Sequence, residues 1–221
     1  MANSRVRRIG AAAAVAFGLG ASAFAQQPRR VELVEAGGRT LGTIHVSSQA
    51  VTLESGDGQS VIYTSTSLVH LNHKEKTYYE QTYDDLSAMA AKAVKELPAG
   101  KEAPPGVEYT LTSETDTIAG CKARKLVRTN RGTSDAAWVC RDWQPPAMRK
   151  AGERLGSIFP ADYWRRVGGS PGLMETVLIY GIPLRADRSG KRVYDARVTD
   201  GASPTGTFEI PAGYKKVPAP K

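Results

Sequence analysis

From Val31 onward, apolar and polar residues alternate in short runs separated by turn-forming residues, the pattern of half-buried strands. Val31 and Leu33 share one face; so do Ile44 and Val46, Val51 and Leu53, and Val69 and Leu71. Ser47-Ser48, Gly56-Asp57-Gly58 and Lys74-Glu75-Lys76 supply the turns, Ser60 to Thr66 carries Val61, Ile62 and Tyr63, and Thr77 to Thr82 carries Tyr78 and Tyr79. The spacing predicts about six strands joined by hairpins. Such a meander is antiparallel, because parallel neighbours need long crossovers.

The period then changes. Leu86, Met89, Ala90, Ala93, Val94 and Leu97 recur at helical spacing, Asp84 and Asp85 occupy the first turn, and Pro98 stops the run, so residues 83–97 read as an amphipathic helix covering the open face of the meander. After a Pro-containing loop at 99–106, strands are expected at 107–116, 121–129 and 136–142, with a bend at Ala119-Gly120 and a hairpin through 130–134. Residues 145–159 and 161–167 read as helices. Strands are expected again at 175–180, 192–199 and 207–210. In the last of these, Phe208 and Ile210 alternate into the core, and Gly213 allows a turn that returns Tyr214 to the sheet. The tail 217–221 is expected to be loose. The fold class is therefore α+β and mainly antiparallel β, one domain over residues 26–221.

Residues 1–25 change the picture of compartment. Arg5, Arg7 and Arg8 precede an apolar run from Ile9 to Phe24, and Ala23-Phe24-Ala25 places small residues before a cut at Gln26. The run is shorter than the ~20 residues that span a bilayer, so it reads as a cleaved secretory signal and the chain as a soluble resident of the periplasm. Three of the 30 basic residues lie in this leader. The rest of the chain keeps a mild positive balance that suits anionic partners such as lipid head groups.

Export carries the only two cysteines, Cys121 and Cys140, into an oxidising space, and a disulfide between them is expected. Counting back from a turn near Gly132 sets Cys140 opposite about Arg124. The bridge then requires Cys121 to reach over from the bend.

Candidate chemistry is sparse. His70 and His73 have the spacer of a metal pair, but residues three apart on a strand point to opposite faces, so His45, His70 and His73 are expected as exposed hairpin residues and no metal site is expected. Gly168-Gly169-Ser170-Pro171-Gly172 has the letters of a nucleophile elbow. It follows a predicted helix rather than a strand, however, and Pro171 lacks the amide an oxyanion hole would use. No catalytic residue and no cofactor are expected, and the dispersed basic residues give no nucleic-acid footprint. Aromatic residues remain: Tyr63, Tyr78, Tyr79, Trp138 and Trp164 either build ordinary core or line a cavity between a curved sheet and its helices.

Three segments carry a resemblance: Ile118-Ala119-Gly120-Cys121-Lys122-Ala123-Arg124-Lys125, the aromatic strand Ala137-Trp138-Val139, and Phe208-Glu209-Ile210-Pro211-Ala212-Gly213-Tyr214. Together they resemble uncharacterised exported bacterial proteins related to the lipoprotein-carrier fold. The resemblance implies an unclosed β half-barrel covered by a few helices, used in carrier relatives to shelter acyl chains. It implies no catalytic residues. The expected function is non-enzymatic binding of a hydrophobic or lipid-like ligand, such as a lipid or lipoprotein acyl chain. The alternatives are docking of another envelope protein or, last, an enzyme with a dispersed site.

Overall fold

The computed structural model describes residues 27–96, 107–130, 133–158, 172–201 and 203–220. The expected signal segment 1–25, the expected loop 99–106, the helix expected at 161–167, Trp164 and Ser170 lie outside the described residues.

The first meander forms as the alternation predicts: β1 (Arg29–Glu35), β2 (Thr40–Val46), β3 (Val51–Ser55), β4 (Gln59–Tyr63), β5 (Ser67–Asn72) and β6 (Thr77–Thr82) pair antiparallel with their chain neighbours. A second antiparallel set follows: β7 (Val107–Ile118), β8 (Cys121–Asn130), β9 (Thr133–Cys140), β10 (Ile182–Arg188) and β11 (Lys191–Asp200). β1 pairs antiparallel with β11, and this seam fuses the two sets into one sheet, ordered β12-β6-β5-β4-β3-β2-β1-β11-β10-β9-β8-β7. Its edges, β7 and the short β12 (Lys215–Lys216), do not pair with each other, so the sheet is unclosed. Register shifts at Leu33/Val34, Leu111/Thr115, Pro183/Arg185 and Ala186/Asp187 bend it. Pro183, which has no amide to give a ladder, sits at one of these shifts.

Among the described residues three helices cover one face: α1 (Tyr83–Lys95), α2 (Pro146–Ile158) and α3 (Leu173–Ile179). Val31, Ile44 and Leu53 face them in one cross-strand row and join a core with Met148, Leu155, Val177 and Leu178. A capping box starts α1: Asp85 N donates to Thr82 Oγ1 (3.0 Å) and Thr82 N donates to Asp85 Oδ2 (3.1 Å). Leu86 and Ala90 pack inward as predicted, but the inward face is rotated away from Met89. Tyr83, Ser87 and Ala90 are buried, while Met89 is 49% exposed.

Residues 175–180 are not a strand. Leu173 to Ile179 form α3, and the strand lies later, at Ile182–Arg188. A short apolar run cannot be assigned by periodicity, and here two distant residues decide it. Gly152 on α2 has no side chain where the backbone carbonyl of Leu178 passes; a Cβ there would overlap it. Gln144, 2% exposed, donates Nε2 to the carbonyls of Val177 (2.6 Å) and Leu178 (3.0 Å), which the helix end leaves without intrahelical donors. Gln144→Leu is expected to cost about 2 kcal/mol by orphaning these carbonyls, as an earlier midpoint in urea unfolding at unchanged slope.

Residues 207–210 are not a strand either. The Thr207 hydroxyl and amide both donate to Pro204 O (2.7 and 3.2 Å), and Glu209 N donates to Gly206 O (3.1 Å), so local bonds replace a ladder. Phe208 is half-buried and Ile210 is 40% exposed, not core. The segment instead straps across the outer face of the sheet, where Thr52 Oγ1 donates to Thr207 O (2.8 Å). Gly213, at φ 84°, then turns Tyr214 back onto Ile62, Val69 and Leu71 as expected. Lys215 and Lys216 pair parallel to β6, and Val217 N donates to Tyr78 O (2.8 Å), so the tail is tied to the sheet edge at Val217 rather than loose.

Cys121 and Cys140 form the expected disulfide, with Cα atoms 6.1 Å apart. The register is one residue from the predicted one: Arg124 pairs with Val139, so the ladder carried one step further puts Cys140 beside Ala123. Cys121 is then its diagonal neighbour on the same face. The parity change makes the bridge direct.

Candidate functional site

A hollow lies where the second strand set meets α3. It exists because of a contrast in side-chain size along one cross-strand row. Leu126 pairs with Ala137, Ala137 with Ala186, and Ala186 with Tyr194, so two alanines on the middle strands leave space between a leucine and a tyrosine. The cavity has a volume of about 320 Å³, and Leu173 and Thr176 of α3 line it from the helix side. The next row is polar: Tyr109 pairs with Arg128, Arg128 with Asp135, and Asp135 with Arg188, all four lining the same cavity.

Asp135 orders this polar row. Its Oδ2 accepts from Arg128 Nη1 (3.2 Å) and its Oδ1 from the Ser189 amide (3.2 Å). Arg128 Nε is buried without a hydrogen-bond partner. Burial pushes the Tyr194 phenol above its ordinary range, so it stays protonated.

The five aromatic residues considered from the sequence do not share a wall. Tyr63 is fully buried in the core and donates its hydroxyl to Met174 O (3.1 Å). Trp138 lies one residue off the alanine row, does not line the cavity, and is buried in the main core cluster, with Lys125 and Arg185 near its ring at 5.7 and 6.0 Å. Tyr78 and Tyr79 line a second hollow of about 280 Å³ at the sheet edge, together with His70 and Val217. His70 stacks on Tyr79 at 4.4 Å, and burial lowers its pKa. Trp164 lies outside the described residues. Sequence reading passed over Leu126, Ala137, Ala186 and Arg128. The alternation in β8 assigns the faces of Leu126 and Arg128, but a gap built from alanines on β9 and β10 carries no motif.

Of the three histidines, His73 is exposed in the turn after β5 as expected, whereas His70 is partly buried and His45 is buried. His45 is 2% exposed, beneath the strap, with Nδ1 3.4 Å from Ser203 Oγ and Nε2 3.5 Å from Glu54 Oε2. Glu54 is held below the usual carboxylate range, chiefly by the hydrogen bond to His45. His73 bridges Ser60 Oγ (2.7 Å) and Tyr214 OH (2.7 Å). These serine–histidine contacts line neither hollow, and they fasten the strap and its neighbouring hairpin to the sheet. Among the described residues no three His, Cys, Asp or Glu side chains group closely enough to hold a metal ion, and no helix is long and apolar enough to cross a membrane.

No family model and no curated protein matches the chain. Among solved structures it is similar to PNGF-II in a P21 crystal form, with a TM-score of 0.47 and 12% identity over 87% of this chain and 32% of that one. It spans about a third of the length of PNGF-II. A second similarity is to an uncharacterized conserved protein from Thermus thermophilus, with a TM-score of 0.38 and 10% identity over 87% of this chain and 90% of the other. Similarity at this level bears on neither activity nor ligand.

Proposed function

We propose that this chain is an exported, non-enzymatic protein of the periplasm that shelters the apolar tail of an amphiphile in the cavity between the second strand set and α3. One observation carries the reading: the row Leu126–Ala137–Ala186–Tyr194 makes an apolar floor to the hollow, with the charged lining residues Arg128, Asp135, Asp187 and Arg188 gathered to one side of it. At about 320 Å³ it sits at the small end of the ~300–1,000 Å³ typical of small-molecule sites, which suits a single chain better than several. The signal-like residues 1–25 and the disulfide both fit an oxidising compartment outside the cytoplasm. An unclosed sheet under helices is also the arrangement that the resemblance to lipoprotein carriers implies.

Ala137→Trp tests the reading by filling the hollow from its floor. A fluorescent fatty acid titrated into the full chain is expected to bind, and the variant to bind at least about tenfold more weakly, the loss of roughly 1.4 kcal/mol or more of apolar contact. Equal binding by the two proteins would contradict the site.

A further inference from the structure

We propose that this cavity selects amphiphiles with an anionic head group, a carboxylate on a single apolar chain, which Arg128 and Arg188 hold at its rim. The inference rests on the proposed ligand-binding reading and adds the chemistry of the head group.

Three observations converge on it. Arg128 Nε is buried with no hydrogen-bond partner, although the same side chain is anchored through Nη1 to Asp135. A buried donor left unmade is costly, and an acceptor oxygen arriving in the cavity would satisfy it. Arg188 lies on the far side of Asp135 in the same cross-strand row, and among the described residues it has no ion pair. The carboxylates nearby are committed elsewhere: Asp135 accepts from Arg128 and the Ser189 amide, and Asp187 accepts from Arg192 Nε at 2.7 Å. The charged lining residues balance in number, Arg128 and Arg188 against Asp135 and Asp187, and with Asp135 held by Arg128 and Asp187 by Arg192, Arg188 is left as the lining guanidinium without an ion pair among the described residues. Guanidinium groups bind carboxylates through paired, charge-assisted hydrogen bonds, and the alanine row beside them accepts a methylene chain. An anion without a tail would leave that row unfilled, a trimethylammonium head would leave Arg128 Nε unmatched, and a neutral hydroxyl could accept from Nε but would bring no negative charge to Arg188.

Calorimetric titration of the full chain at pH 7 and low salt, with ligands of one chain length below their aggregation limits, tests this. Decanoate is expected to bind about tenfold tighter than 1-decanol, with the advantage shrinking as salt is added; decyltrimethylammonium and acetate are expected to bind weakest. Arg188→Met, a substitution at an exposed strand end, is expected to lower decanoate affinity to that of decanol and leave decanol unchanged. Arg128→Lys, which keeps the charge but loses Nε, is expected to act in the same direction. Decanoate no tighter than decanol, a preference for the cation, or unchanged selectivity in Arg188→Met would overturn the head-group assignment while leaving the cavity reading intact. Acetate binding as tightly as decanoate would overturn the amphiphile. Failure of all four ligands to bind would overturn both.

Discussion

Gly152→Ala is expected to destabilise the protein by about 3 kcal/mol, although helix propensity alone predicts the opposite sign. Alanine is favoured over glycine by ~1 kcal/mol inside a helix, and Gly152 lies inside α2. The added methyl, however, would fall on the backbone carbonyl of Leu178 in α3. A main-chain carbonyl held by Gln144 cannot swing aside as a side-chain end can, so the cost lies at the upper end of overpacking penalties of ~1–3 kcal/mol. Gly156→Ala is the internal control. Its methyl would meet only Ile179 Cγ2 at 3.3 Å, a side-chain end that can give way. Chemical unfolding of both variants decides between packing and propensity by the sign of the shift. The Gly152 variant should also loosen the cavity, because Leu173 and Thr176 on the displaced helix line it.

Replacing both bridging cysteines by alanine should lower stability by a similar amount. The bridge closes a loop across a sequence separation of 19, worth about 3 kcal/mol in the chain-entropy account. Both sulfurs are buried, Cys140 completely, so lost packing adds to the lost constraint. At ~2–4 °C per kcal/mol for a chain of this size, the melting temperature should fall by roughly 10 °C. The bridge ties the start of β8 to the end of β9, immediately before the Gln144 segment that caps α3. Reductant should therefore reproduce the shift in the unsubstituted protein and leave the variant unaffected. Coincident melting curves for the oxidised protein and the variant would show that the bridge contributes nothing.

The parts of the fold legible in the sequence are those specified locally. Alternation placed β1 to β6 in the meander, and the acidic first turn at Asp84 and Asp85 placed α1. The parts that were not legible are specified by partners far along the chain. The run at α3 contains nothing that separates helix from strand until Gly152 and Gln144 come against it. His45 looks like a hairpin residue until Ser203, 158 positions away, covers it. The one-residue error in the β8–β9 register came from centring the turn on Gly132, whereas Asn130 pairs with Thr133. The cavity was missed for a different reason. Attention to aromatic residues finds what fills space, while this site is made by Ala137 and Ala186, which do not.

The central claim is that the hollow over these alanines holds the tail of an amphiphile. Mass spectrometry of an organic extract from the purified full chain, before and after equilibration with decanoate, tests it most directly. The expected result is about one single-chain anionic amphiphile per protein, displaced by decanoate and absent from Ala137→Trp. A protein that carries no amphiphile and takes up no decanoate would contradict the account.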